Sequence, residues 1–463
     1  MIRPIRNLIP AALVSIVALA LFAAPAHALE IKRFKLANGA VLLVSEQHQL
    51  PMVTLSVAFD AGARRDPKGK EGLAALTAEA LMQGTKQLSA AEFNQKVDFM
   101  GSSISIGANR DNAAGSFTSL KKYSDDTLHL LGQALQDPGL HDADIERKQA
   151  EQVADIKAAD EEPEYVTGVA FIKQLYGDGP YGHPFSGFAD SVGKLKPDDV
   201  RTFYREHYLM GNAVIAVVGD VDADTIKSKL EKEFTGLSGT VTSQPEPAAA
   251  TVSPGLHPDL IDRNVAQASL ILGSGGIARS NPDYYKLQVM NYILGGGGFA
   301  SRLMKVVRSK AGLAYGIGSS FNAGKFPGAF QVVLQTKNHS SNDALKLILQ
   351  QLRDIQTTPV SDAEMQSAKK YLIGSFPLKL DRQSEIVEFM LQTELYGLGT
   401  DYAERYPKLI GAVTKADVQQ VAQQYLHPDA LILVAVANLS EAKIDVAALE
   451  PKKQASSTNS KGG

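Results

Sequence analysis

The chain has 463 residues, 44% of them apolar and 21% charged, enough for about two to four domains with a sizeable core and a mixed-charge surface. It contains no cysteine, which excludes disulfides, thiolate metal sites and cysteine nucleophiles. A formal net charge of −3 without a long basic run argues against a nucleic-acid partner.

In chain order, Arg3 and Arg6 precede a mostly apolar run over 8–24, then Pro25 and the small-x-small stretch Ala26-His27-Ala28. This predicts a signal peptide over 1–28, cleaved after Ala28. No later stretch is long and apolar enough to span a bilayer, so no stable membrane insertion is expected. Export of a cysteine-free chain points to the periplasm.

Residues 40–44 are apolar and partly β-branched. Residues 53–59 alternate, with Val53, Leu55, Val57 and Phe59 on one face, and read as a half-buried strand. The 72–82 segment is helical in pattern, 104–106 and 113–118 are strands, and 128–135 and 142–157 are helices. Short connections between the strands predict an α+β architecture, a mainly antiparallel sheet with helices on one face.

The chain then repeats itself. Asp199-Val200, a helical stretch to Tyr208 and the strand 213–218 recur as Asp417-Val418, a helical stretch to Tyr425 and the strand 430–436. A further helix is expected after each strand, over 223–234 and 440–448. This is an internal duplication on the scale of a domain. Residues 239–256, rich in Pro, Ala, Ser and Thr, read as a linker between domains at 29–238 and 257–450. The Lys-, Ser- and Gly-rich stretch 451–463 reads as a disordered tail.

The stretch 61–85, AGARRDPKGKEGLAALTAEALMQGT, resembles the pitrilysin and insulinase family of metallopeptidases, in its compact branch that includes the mitochondrial processing peptidase subunits. Gly62-Ala63-Arg64, Gly72-Leu73-Ala74 and Gly84-Thr85 stand where that family has a Gly-x-Arg turn, a helix start and a helix end. Tyr181-Gly182-His183-Pro184, Leu294-Gly295-Gly296, Ser301-Arg302-Leu303 and the stretch 308–315 extend the match over almost all of the mature chain. The resemblance implies two homologous sandwich domains.

The family's His-x-x-Glu-His motif is absent. Aligned through Gly72 and Gly84, its first histidine falls on Ala75, its glutamate base on Ala78 and its second histidine on Glu79. Its third ligand, a glutamate, falls near Asp155. Zinc in such a site needs two imidazoles one helical turn apart plus a carboxylate. None of the nine histidines stands four residues from another, and Glu79 with Asp155 makes a poor zinc site. No metal or cofactor is therefore expected on this chain.

The resemblance gives other residues a role. In the family, an arginine and a tyrosine at the spacing of Arg308 and Tyr315 bind the substrate carbonyl across the chamber from zinc, and in heterodimeric members the zinc-free subunit supplies them. The chemistry suits the residues, a permanent multi-donor cation and a neutral donor. Gly295, Gly296, Gly297 and Gly298 resemble a shortened glycine-rich substrate loop. Read on their own they are a tight turn that lets Ser301-Arg302-Leu303 pack closely.

The reading that follows is a non-catalytic subunit of a heterodimeric zinc endopeptidase. Its partner would be a homologous chain with an intact His-x-x-Glu-His and its own zinc, and its substrate a peptide or unfolded protein. Each half is expected to bury one sheet face under helices and to leave the other lining a chamber. A chain that cleaves peptides alone is opposed by the missing histidines. A peptide-binding or envelope scaffold without proteolysis is the alternative.

Overall fold

The computed structural model describes residues 29–243, 247 and 249–450. The signal peptide over 1–28 and the tail over 451–463 lie outside the described residues.

Two sheets organise the chain. The first contains β1 (Lys32–Lys35), β2 (Val41–Glu46), β3 (Met52–Phe59), β4 (Ser103–Ala108), β5 (Ala113–Leu120) and β6 (Val214–Gly219), in the order β1-β2-β6-β3-β5-β4. The second contains β7 (Gly255–Asp262), β8 (Gln267–Gly275), β9 (Ala314–Phe321), β10 (Ala329–Lys337) and β11 (Ala430–Ala437), in the order β7-β11-β8-β10-β9. Setting β1 aside, the two orders are the same. The directions also agree: β2 runs parallel to β6 and β7 to β11, while the remaining pairs are antiparallel.

The duplication extends to single side chains. Asp199 accepts a hydrogen bond from the Lys196 backbone at the start of the Pro197–His207 helix, and Asp417 accepts one from Thr414 at the start of the Lys415–Tyr425 helix. Each carboxylate also faces a lysine, Lys70 at 2.6 Å and Lys286 at 3.6 Å. A carboxylate in the first turn answers both the free N–H groups and the positive end of the helix.

In the first half, Val53, Leu55, Val57 and Phe59 pack into a core with Leu73, Leu76 and Leu81 of the Leu73–Leu81 helix and with Val200 and Phe203. The other side of β3 departs from the expectation of a half-buried strand. Thr54, Ser56 and Ala58 are buried as well, because the Gln383–Leu395 helix of the second half packs across β3 and β6. Thr54 and Gln383 are 3.3 Å apart, and Arg33 forks onto Glu394 at 2.9 and 2.8 Å. The exchange is reciprocal. Phe171 and Leu175 of the Pro163–Tyr176 helix bury against Ile271, Ala329, Ile432 and Val434 of the second sheet. A Cβ on Gly273 would lie 2.6 Å from the Phe171 ring, so a glycine in β8 is what lets that ring approach the strand so closely.

The fold class is thus the expected one, with a single exchanged helix added to the second face of each sheet. That helix covers the central strands, so the face expected to line a chamber is open only toward the outer strands. Ser103, Ser105 and Gly107 of β4 and Tyr315 of β9 are exposed there. At the end of the chain, the helix expected over 440–448 is two single turns, Leu439–Ala442 and Val446–Leu449, broken at Lys443 with φ 44°. No helix of the described residues is long and apolar enough to cross a membrane.

Candidate functional site

The helix in the zinc-motif position is fixed at its start by residues that carry no metal chemistry. Asp66 accepts hydrogen bonds from the Gly72 and Ala74 backbones, both at 2.7 Å. Burial pushes this carboxyl up to about 7, against the pull of those two donors. Gly72 adopts φ 98°, and a Cβ there would sit 2.5 Å from the Ser186 carbonyl. The loop that follows the Tyr181-Gly182-His183-Pro184 stretch therefore closes directly onto the helix start. Gln152 ties the two by donating to the Gly72 and Ser186 carbonyls at 3.1 and 2.7 Å.

Along this helix Ala75 is half-buried, Ala78 is buried and Glu79 is exposed. Glu79 meets a cation. Its carboxylate lies 3.2 Å from the ammonium of Lys148 on the Asp142–Ala159 helix, which also pairs with Glu151 at 2.9 Å. Glu151 first, and Glu79 after it, hold the Lys148 ammonium above the ordinary lysine range. Asp155 is exposed and hydrogen-bonded to none of the described residues. These residues do not fit a zinc ion. Two alanines offer no lone pair, Glu79 is paired with an ammonium, and among the described residues no three His, Cys, Asp or Glu side chains gather at metal-binding distance. Lys148 escaped the sequence reading. Its position two turns before Asp155, on the same side of one helix, was the available signal.

In the second half, the glycine run and the Arg308 segment form one unit. Residues Tyr292–Gly296 and Met304–Lys310 are both wound as π-turns, which cluster at functional sites. Arg302 forks onto Glu364 at 2.7 and 3.1 Å and holds that carboxyl down at about 2. Arg308, six residues on, has no carboxylate partner among the described residues. Its guanidinium lies 3.9 Å from the Met304 sulfur and 5.0 Å from the centre of the Phe299 ring. Tyr315 is 76% exposed. It occupies a bulge: Gln335 pairs with Gly316 and Thr336 with Ala314, so Tyr315 is the extra residue with no partner across the ladder. A bulge re-aims one side chain, and such bulges gather beside active sites. The strand that carries it, β9, is an edge of its sheet.

The glycines have distinct reasons to be glycine. A Cβ on Gly295 would lie 2.4 Å from the Ser319 hydroxyl of β9, one on Gly296 2.7 Å from the Asn291 amide, and one on Gly297 2.6 Å from the Tyr292 carbonyl. Gly298 faces open space, but with φ 54° it turns the chain outward.

A family model described as insulinase (peptidase family M16) matches residues 41–187, and one described as peptidase M16 inactive domain matches 194–372. The chain belongs to the M16 peptidase family. A relative called non-peptidase homolog YmxG, from Helicobacter pylori, is 24% identical over 87% of this chain and 93% of that one. An uncharacterised zinc protease of Streptomyces coelicolor is 25% identical over 86% of this chain and 87% of its own. Among solved structures, a peptidase M16 inactive domain from Pseudomonas fluorescens superposes with a TM-score of 0.83 at 28% identity, covering 88% of this chain and 98% of that one.

This M16 chain is tightly built where its halves meet. Arg64, of the Gly-x-Arg turn, is buried and paired with Asp60 and, at 3.7 Å, with Asp111. Tyr181 donates to the same Asp111, and Phe326 from the second half lies under the Arg64 guanidinium at 5.3 Å and beside the Tyr181 ring. His207 lies near this cluster. Burial first, then Arg65, lowers it to about 4 from its ordinary 6.5, and its Nδ1 is buried without a partner. A lowered histidine favours the neutral folded form, so its stabilising share is present above pH 6.5 and is lost as pH falls toward 4. Asp66, raised to about 7 from its ordinary 3.8, acts in the opposite sense across the whole of that range. We expect the change in melting temperature from pH 7 to pH 5 to be less favourable for the wild-type chain than for His207→Gln, which keeps only the opposing effect of Asp66. Parallel slopes from thermal scans at the two pH values would remove His207 from the account.

Proposed function

We propose that this chain is the non-catalytic subunit of a heterodimeric zinc endopeptidase of the periplasm, with peptidase-like lobes at 29–238 and 257–450 joined by 239–256. It completes the partner's chamber and supplies Arg308 and Tyr315 to a peptide bound at the partner's zinc site. The partner is a homologous chain with an intact His-x-x-Glu-His. The observation that carries the reading is a contrast. The positions of the zinc motif hold two alanines and an ion-paired glutamate, whereas Arg308 has no carboxylate partner among the described residues and Tyr315 is exposed on a bulge. The name of the H. pylori relative and the description of the second family model support the same reading.

In this role the chain performs no metal chemistry. The guanidinium and the phenol hold the scissile carbonyl and stabilise the charge that develops on its oxygen. The peptide lies extended, adding a strand to a free sheet edge. The purified chain is expected to carry no stoichiometric zinc and to cleave no peptide by itself. Elemental analysis giving about one zinc per chain, together with cleavage that a chelator abolishes, would overturn the proposal.

A further inference from the structure

Phe299 plays no part in the chemistry above, yet it is presented in a specific way. The first three of the four glycines before it, Gly295, Gly296 and Gly297, leave no room for side chains and fasten the loop to β9 and to the Tyr292 turn. Gly298 then turns outward, and the short Gly298–Ala300 turn is closed by Ser301, whose backbone N–H and hydroxyl donate to the Gly298 carbonyl at 3.0 and 2.7 Å. The ring is 70% exposed at the end of this fixed turn. One face is within cation–π range of Arg308, at 5.0 Å. A lone exposed phenylalanine needs no explanation. One held by a loop packed on the edge strand β9, against an arginine with no carboxylate partner among the described residues, is a preorganised apolar contact.

We propose that Phe299 is the specificity anchor of this site, taking a bulky apolar side chain from an extended peptide that pairs along β9. The inference rests on the peptide-binding reading of Arg308 and Tyr315 and adds the class of side chain selected. A strand laid beside β9 sends alternate side chains to the same face. One of them covers the Phe299 ring, while backbone carbonyls of the same strand meet the Arg308 donors. Aromatic and large aliphatic residues gain most from such a contact, since the apolar area removed from water is largest.

The test is direct binding to the full mature chain. The probes are fluorescein-labelled ten-residue peptides of Ala, Ser, Thr and Gln that carry either Phe or Ala at one central position, read by fluorescence anisotropy. The Phe peptide should bind the wild-type chain about tenfold more tightly than the Ala peptide. Phe299→Ala should lose that preference while keeping its affinity for the Ala peptide, and Phe299→Leu should retain most of it. Because the ring is mostly exposed, both variants are expected to melt like wild type. If the wild-type chain binds neither peptide, the peptide-binding reading falls and the anchor with it. If it binds both equally, or if Phe299→Ala keeps the preference, binding stands and the anchor is wrong.

Discussion

Arg308→Ala is expected to lower turnover of the mixed complex about a hundredfold, the typical loss for one donor to a developing oxyanion, and to leave assembly and peptide affinity nearly unchanged. The effect falls on turnover because the guanidinium gains most when charge builds on the carbonyl oxygen in the transition state. The structure adds a reason to expect a clean result. Arg308 holds no carboxylate among the described residues, so removing it strands no buried charge. Arg302 is the contrasting control. It is forked onto Glu364, and Arg302→Ala should unfasten the loop and lower stability instead. Tyr315→Phe, losing one neutral donor, should cost about tenfold or less. The measurement is peptide hydrolysis by the reconstituted pair, with complex formation followed by gel filtration. Wild-type turnover in correctly assembled Arg308→Ala and Tyr315→Phe complexes would make both residues structural and leave the chain a scaffold.

Rebuilding the zinc motif tests the other half of the account. Ala75→His, Ala78→Glu and Glu79→His restore the ligand pair and base, and Asp155→Glu lengthens the third position by one methylene. Sequence alone suggests that these changes suffice. The structure argues that they do not, because Lys148 stands 3.2 Å from the Glu79 carboxylate and is held there by Glu151 as well. Once Glu79 becomes a neutral histidine, the Lys148 ammonium faces an incoming dication. Like charges about 4 Å apart repel by several kcal/mol near a protein surface before salt screening. The fourfold variant should therefore bind zinc weakly, and adding Lys148→Gln should tighten binding at least about tenfold. Titration calorimetry on folded protein reads this directly. Equal affinity with and without Lys148 would mean that the lysine does not face the metal position. No binding in either variant would mean that the Leu73–Leu81 helix has turned away from it.

Much of the fold is readable from residues of a few types. The alternation of Val53 to Phe59, the apolar side of the Leu73–Leu81 helix and the recurrence of Asp199-Val200 as Asp417-Val418 all report local periodicity or local capping. What periodicity does not carry is a contact between halves. Thr54, Ser56 and Ala58 look like the wet side of a strand, and only the Gln383–Leu395 helix, distant in sequence, makes that side dry. The candidate site divides the same way. The positions of Ala75, Ala78, Glu79, Arg308 and Tyr315 follow from motif spacing. The π-turn around Arg308 breaks the 3.6-residue period, and the bulge at Tyr315 is set by the register of β10, so neither is written in the local pattern. Lys148 and Phe299 were visible as residue types, a cation two turns from an acid and an aromatic after four glycines. Their meaning lies in what each one touches.

The most direct test of the central claim is hydrolysis of a quenched fluorescent peptide by three samples: this chain, a homologous chain with intact His-x-x-Glu-His, and an equimolar mixture of the two. The account predicts cleavage by the mixture, none by this chain, and little by the zinc-bearing chain alone, with the two chains eluting together. A zinc-bearing chain that cleaves equally well alone, or chelator-sensitive cleavage by this chain alone, would contradict it.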